Sequence, residues 1–401
     1  MRSHSISGSV KPGFEAVREA FIENFERRGE LGAACCVYYH GEKAVDLWGG
    51  TRNKSTGEPW EEDTMVQVHS TTKGIAGLAM ALAQSRGLFD YEERVCKYWP
   101  EFAQQGKEKI TVRQLLSHQA GLFALDEMPT GDLVADLDRL AVVLARQKPA
   151  WEPGARQAYH AITLGFYESE LLRRVDLPKH RSLGRFFQDE MATPLGLDLY
   201  LRLPEEIADS RLAPLERPGA ASMITSLFTV PHLLALSAMN RRSRIRRALL
   251  GSELPEEMAK GRIYARNFEV PSGGAVGTAR GFAHAYSVFA TGGKELGLRE
   301  ETLKKLIAPP ARPVNGFRDA CLKTEVAFSI GFMKPGGKNM FAHPSAFGAP
   351  GTGGSFAFAD PHAEIGYAYV MNRMGNMVLD QRELALRKAM YRSIGEREPV
   401  C

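Results

Sequence analysis

Strand-forming segments lie near both ends of this chain, and the long stretch between them is patterned for helices. Near the start, Ala33–Tyr39 and Lys43–Trp48 are β-rich, and His40-Gly41-Glu42 between them suits a hairpin. Strand signals return only at Ala327–Met333, Ser355–Ala359 and Gly366–Asn372. Between them, runs at Val112–Leu116, Asp132–Arg146, Ile162–Arg174, Leu183–Met191 and Pro231–Met239 read as helices, punctuated by Pro153-Gly154 and Pro194-Leu195-Gly196. An amphipathic helix is expected from Phe14 to about Arg28, a mostly buried one over Gly74–Gln84 and a closing one from about Leu379 to Ser393. A chain ordered this way builds one antiparallel sheet from distant segments. The expected fold class is α/β of the α+β type. Its sheet lobe is discontinuous, residues 1–86 and 261–401, with a mainly helical lobe at 87–260 and a cleft between lobes as the expected binding site.

Composition narrows the function. At 401 residues the length allows two to three domain-sized units, and 44% hydrophobic with 24% charged residues is ordinary for a soluble globular protein. Lys plus Arg exceed Asp plus Glu by 51 to 47, too small an excess to imply a nucleic acid or another polyanion as partner. The five cysteines (Cys35, Cys36, Cys96, Cys321, Cys401) are scattered without a CxxC pair, so neither a metal site nor a disulfide framework is expected. Cys35 and Cys36 share a strand and so point to opposite faces. No run of about 18 apolar residues occurs, which excludes an ordinary membrane-spanning helix. The first residues lack the apolar core of a secretory signal, and the expected location is cytoplasmic.

Several chemistries are excluded by motif. There is no GxSxG, HExxH, GxxxxGK[ST] or strand-following GxGxxG. What remains is Ser70-Thr71-Thr72-Lys73, opening the apolar helical run. Spacing of i, i+3 sets the lysine amine one turn from the serine hydroxyl, and a helix N-terminus offers amides to an oxyanion. The plainer reading is a capping serine followed by a solvated lysine. Tyr159, after the turn Trp151-Glu152-Pro153-Gly154, either presents its phenol to a cleft or packs its ring. Phe347-Gly348-Ala349-Pro350-Gly351-Thr352-Gly353-Gly354-Ser355 either lets backbone amides approach a ligand or is a tight turn before a strand. His118 reads as a loop-bonding histidine, and Arg241–Arg247 as a solvated basic run.

Taken in order, the segments DLWGGT (46–51), VHSTTKGIAGLA (68–79), ITVRQLLSHQAGL (110–122), WEPGARQAYHAITLGF (151–166), ATPLGL (192–197), GTARGFA (277–283) and FGAPGTGGSFAFADP (347–361) resemble the serine β-lactamase-related superfamily. The match spans nearly the whole chain and is closest to the class C-like family VIII carboxylesterases, with the β-lactamase-domain proteins of animals nearby. The resemblance implies a β-lactamase/DD-peptidase-like fold. It implies Ser70 as acylated nucleophile, Lys73 and Tyr159 as proton-transfer pair, and the amides of Ser70 and Thr352 as oxyanion hole. Ala349, Gly351 and Gly353 would line the substrate site, with no metal or cofactor.

Two departures matter. Where β-lactamases carry Lys at the first position of the third motif, this chain has Ala349, and two residues after the tyrosine it has Ala161 in place of Asn. An acidic substrate would lose a charge-assisted hydrogen bond of about 1.5–3 kcal/mol. The expected partner is therefore a small uncharged ester, and the expected function a serine carboxylesterase. The alternatives on the same machinery are a weak β-lactamase, a D-amino-acid peptidase or an acyltransferase; the alternative of another class is a non-catalytic binding module. Whether His343 replaces the missing cation is left open by sequence.

Overall fold

The computed structural model describes residues 5–217, 240, 243–249, 254–257, 259–266, 268–335, 340–375 and 379–396. The expected helix at Pro231–Met239, the residues Arg241 and Arg242, and Cys401 lie outside them.

The main sheet draws strands from both ends of the chain. β1 (Ile6–Val10), β2 (Gly32–Tyr39), β3 (Glu42–Asn53) and β4 (Glu58–Pro59) come from the first sixty residues. Three two-residue strands, β5 (Val66–Gln67), β6 (Leu199–Tyr200) and β7 (Val276–Gly277), form a separate small sheet in the order β5-β7-β6. β8 (Ala327–Ser329), β9 (Phe332–Lys334), β10 (Phe347–Pro350), β11 (Phe356–Asp360) and β12 (Ile365–Met371) complete the main sheet. Its order is β1-β3-β2-β12-β11-β10-β9-β8, with β4 beside β3, and every pairing is antiparallel. The two ends of the chain meet where β2 pairs with β12, from Ala33 opposite Met371 to Tyr39 opposite Ile365.

Strand alternation makes two cores. Cys35, Val37, Val45, Leu47, Phe356, Phe358, Tyr367 and Tyr369 pack under the terminal helices Glu15–Arg27 and Gln381–Ser393, against Phe21, Phe25, Leu386 and Met390. Ala34, Cys36, Ala357, Ala359, Ala368 and Val370 belong to the opposite core, with the helices Thr72–Ser85 and Ala279–Ala290. Cys35 and Cys36 thus do face opposite cores. The terminal helices are also tied by charge: buried Arg382 pairs with Glu30 at 2.8 Å and with Asp380 at 2.9 Å.

Turn chemistry accounts for the hairpins. His40 and Gly41 both have positive φ (52° and 76°), giving a two-residue connection whose twist matches the flanking strands. The run Ala327–Met333, expected as one strand, is instead a hairpin, β8 and β9. Ile330 and Gly331 adopt φ of 43° and 95° and reverse the chain inside an unbroken apolar run. The residues Phe347–Pro350, expected as loop, are strand β10, in register with Phe356–Ala359. The middle of the chain is helical in shorter pieces than expected: Asp132–Arg146 divides into Gly131–Ala135 and Leu137–Arg146, and Leu183–Phe187 continues as a π-turn over Gln188–Ala192. No helix among the described residues is long and apolar enough to cross a membrane.

Candidate active site

The helix Thr72–Ser85 is buried on all sides. Small residues permit this: a Cβ on Gly77 would lie 2.8 Å from the Phe332 ring, and one on Gly74 would collide with the hydroxyl of Tyr286. A 3₁₀ turn, His69–Thr71, leads from β5 into this helix, and Ser70 sits in it rather than at the helix cap. His69 takes a left-handed φ of 45°, which sharpens the strand-to-helix reversal beside the serine. Burial holds the His69 ring at a pKa of about 4.

Two polar side chains converge on Ser70. Tyr159 Oη donates to Ser70 Oγ at 2.8 Å, and Lys73 Nζ lies 3.3 Å from the same oxygen. Lys73 is 3% exposed, which removes the solvated-lysine reading. Its ammonium donates also to the carbonyls of Ala161 (2.7 Å) and Ser272 (2.8 Å), so all three of its donors are placed. It stands 4.8 Å from the centre of the Tyr159 ring. Position 161 therefore still reaches the lysine, through its carbonyl, although the alanine offers no polar side chain. Ser272 was not anticipated. Its hydroxyl accepts the Gly165 amide at 2.7 Å, which holds its carbonyl toward Lys73.

Tyr159 is positioned by two neutral histidines. His118 accepts the His160 amide on Nδ1 at 3.0 Å, and its carbonyl accepts the Ala158 amide at 3.0 Å. His160 Nδ1 bonds the Ala158 carbonyl at 2.6 Å, and its Nε2 accepts the Leu122 amide at 3.1 Å. Burial pushes His118 well below its ordinary pKa and His160 to about 4, which keeps both rings neutral and able to accept on one nitrogen. The Tyr159 ring stacks on Phe328 at 5.7 Å. His118 thus bonds backbone as expected, whereas His160 was missed despite being next to Tyr159 in sequence.

The third motif closes on the serine turn. Ser355 Oγ lies 3.0 Å from Thr71 Oγ1 and donates to the Val68 carbonyl at 3.0 Å. Gly351 N–H donates to the Ser355 carbonyl at 2.7 Å, and Gly353 and Gly354 use φ of 93° and 112° to complete the turn. Thr352 lies within this turn, and its amide donates to no backbone carbonyl among the described residues.

Ala349 is buried beside Gly74 and Tyr286. His343 does not replace the missing cation there. It precedes the far end of β10, with Nδ1 2.6 Å from Asp360, whereas the motif's Gly351 follows the near end. One further buried group was not anticipated: Glu168, on the helix Thr163–Val175, finds no hydrogen-bond partner for either carboxyl oxygen among the described residues, and burial raises its pKa to about 8.

Fold and site together define a serine enzyme-type centre on a mixed sheet–helix scaffold, and comparison with known proteins gives its family. Residues 17–390 match the beta-lactamase family model, and the chain belongs to that family. It is 32% identical over 376 residues to the esterase/beta-lactamase LipL of Mycobacterium tuberculosis (strain ATCC 25618 / H37Rv), covering 92% of this chain and 83% of that protein. Among solved structures it is similar to a family VIII carboxylesterase (TM-score 0.84, 34% identity, 97% of this chain and 100% of the other). It is equally similar to a penicillin-binding protein homologue from Caulobacter crescentus (TM-score 0.83, 34% identity, 97% and 100%).

Proposed function

We propose that this protein is a serine carboxylesterase that cleaves small uncharged esters through an acyl-enzyme. The observation that carries the reading is the convergence of Tyr159 Oη and Lys73 Nζ on Ser70 Oγ at 2.8 and 3.3 Å. In the proposed cycle Tyr159 reacts as its phenolate, with the Lys73 ammonium as counter-charge; the Ser70–Tyr159 hydrogen bond then runs from the serine, and Tyr159 takes the Ser70 proton as Ser70 Oγ attacks the ester carbonyl. The Lys73 ammonium, anchored on two carbonyls, supplies positive charge beside the oxygen that is losing its proton. The amides of Ser70 and Thr352 receive the developing oxyanion. The tyrosine proton then passes to the departing alkoxide, which leaves as the alcohol. Water repeats the sequence on the acyl-enzyme and releases the acid.

Ala349 and Ala161 favour an ester over a β-lactam, because neither supplies a polar side chain to a substrate carboxylate or amide. The names of the relatives keep amide chemistry as the second reading, since LipL is called both esterase and beta-lactamase. A panel of short p-nitrophenyl esters run beside nitrocefin separates the two. Ester turnover far above nitrocefin turnover supports the proposal; comparable turnover favours the amide-directed reading.

A further inference from the structure

A cluster away from Ser70 has the chemistry of a metal site. We propose that His343, His362 and Glu396 bind one divalent transition-metal cation, with zinc as the fitting ion, and thereby clip the segment after the last helix to the edge of the sheet core. Their ligand atoms lie within 4.8 Å of one another. His343 precedes β10, His362 lies in the turn between β11 and β12, and Glu396 follows the helix Gln381–Ser393. Because the three come from separate segments, no ligand spacing marks them in the sequence.

The spacing of the ligand atoms suits a bound cation. His343 Nε2 and Glu396 Oε2 are 3.3 Å apart. Zinc bonds of about 2.0–2.1 Å at tetrahedral angles set neighbouring ligand atoms about 3.3–3.4 Å apart. His343 Nδ1 is engaged by the Asp360 carboxylate at 2.6 Å, and Asp360 is fully buried. Asp360 is itself fixed, accepting from Tyr391 Oη at 2.7 Å and from the His362 amide at 3.2 Å. This is the carboxylate–imidazole arrangement that orients a metal-binding histidine and assigns its proton to Nδ1. With Nδ1 engaged by Asp360, Nε2 is the ring nitrogen that faces Glu396 Oε2, at the spacing of two neighbouring zinc ligands. The His362 ring lies 4.2 Å from that of His343. Two nitrogens and one carboxylate oxygen suit zinc and disfavour calcium or magnesium, which prefer all-oxygen sites. The fourth position opens to solvent, since His362 is exposed and the Glu396 side chain is 36% exposed.

The test uses the full-length, tag-free protein stripped of metal. Titration with zinc, followed calorimetrically and by thermal unfolding, is expected to show one zinc per chain and a rise in Tm of about 3–5 °C once zinc is well above Kd. His362→Ala removes an exposed ligand. It should weaken zinc binding by at least ~10-fold and abolish the Tm rise, while leaving the metal-free Tm and ester turnover unchanged. Glu396→Gln should behave alike. Absence of zinc binding by the parent, or a zinc-induced Tm rise that survives in His362→Ala, overturns the proposal.

Discussion

Gly351 lies so close to Val68 that a Cβ on the glycine would sit 2.3 Å from the Val68 carbonyl oxygen and 2.3 Å from Ser355 Oγ. The missing side chain is what brings the third motif onto the turn that carries Ser70. Gly351→Ala must push these backbones apart, at a cost of about 1–3 kcal/mol. A displacement near 1 Å at the reacting centre should lower kcat/KM for an ester about 100-fold. Thermal unfolding and steady-state kinetics on the purified variant check both effects.

His118 and Tyr159 are coupled through the His160 amide. His118→Ala deletes the Nδ1 acceptor and should lower kcat by about 10–100-fold, with the loss in kcat rather than KM. His118→Asn offers an acceptor oxygen and tolerates the left-handed φ of 60° found here, so it should recover most of the rate. Equal loss in both variants would show that packing, not the hydrogen bond, is what His118 contributes.

Acid should destabilise the protein through its buried histidines. His69 and His160 are held at about 4 and His118 well below its ordinary value by burial, whereas in the unfolded chain each titrates near 6.5. Above that value both states are neutral. As pH falls below it the unfolded chain takes up protons that the folded rings refuse, so stability is lost progressively down to about pH 4. The slope approaches about 1.4 kcal/mol per pH unit for each histidine. Urea midpoints measured across that window test the sign and size.

Glu168 acts in the opposite direction. Its carboxyl is raised to about 8 by burial, against 4.5 as the reference value, so the folded state keeps a proton that the unfolded state releases. Stability from this group is complete below the reference value and is lost as pH rises toward 8. Glu168→Gln removes that dependence. The variant should gain in unfolding free energy relative to the parent as pH rises from about 5 to 8, by roughly 3 kcal/mol at neutral pH, read from urea midpoints. A constant difference across that range would contradict a neutral buried acid.

Much of this was legible because the signals were local or strongly periodic. The helix Thr72–Ser85 and the SxxK spacing at its start are continuous in sequence, and His40-Gly41 announces its turn. Tyr159 was found from the turn that precedes it. The β8–β9 hairpin was not, because Ile330 takes a positive φ that nothing in an apolar run signals. The two-residue strands β5, β6 and β7 are too short to show a period. Ser272 and Ala161 act through their carbonyls, and a carbonyl leaves no trace in residue type. His160 carried a signal in its position beside Tyr159, but its role depends on burial and on partners at Leu122 and Ala158.

Ser70 Oγ is the atom proposed to be acylated by the substrate. The most direct measurement compares hydrolysis of a short p-nitrophenyl ester by the parent and by Ser70→Ala at matched folded concentration. If Ser70 is the nucleophile, kcat falls by at least ~10³-fold with an unchanged Tm. Hydrolysis by Ser70→Ala at the parent's rate would contradict it.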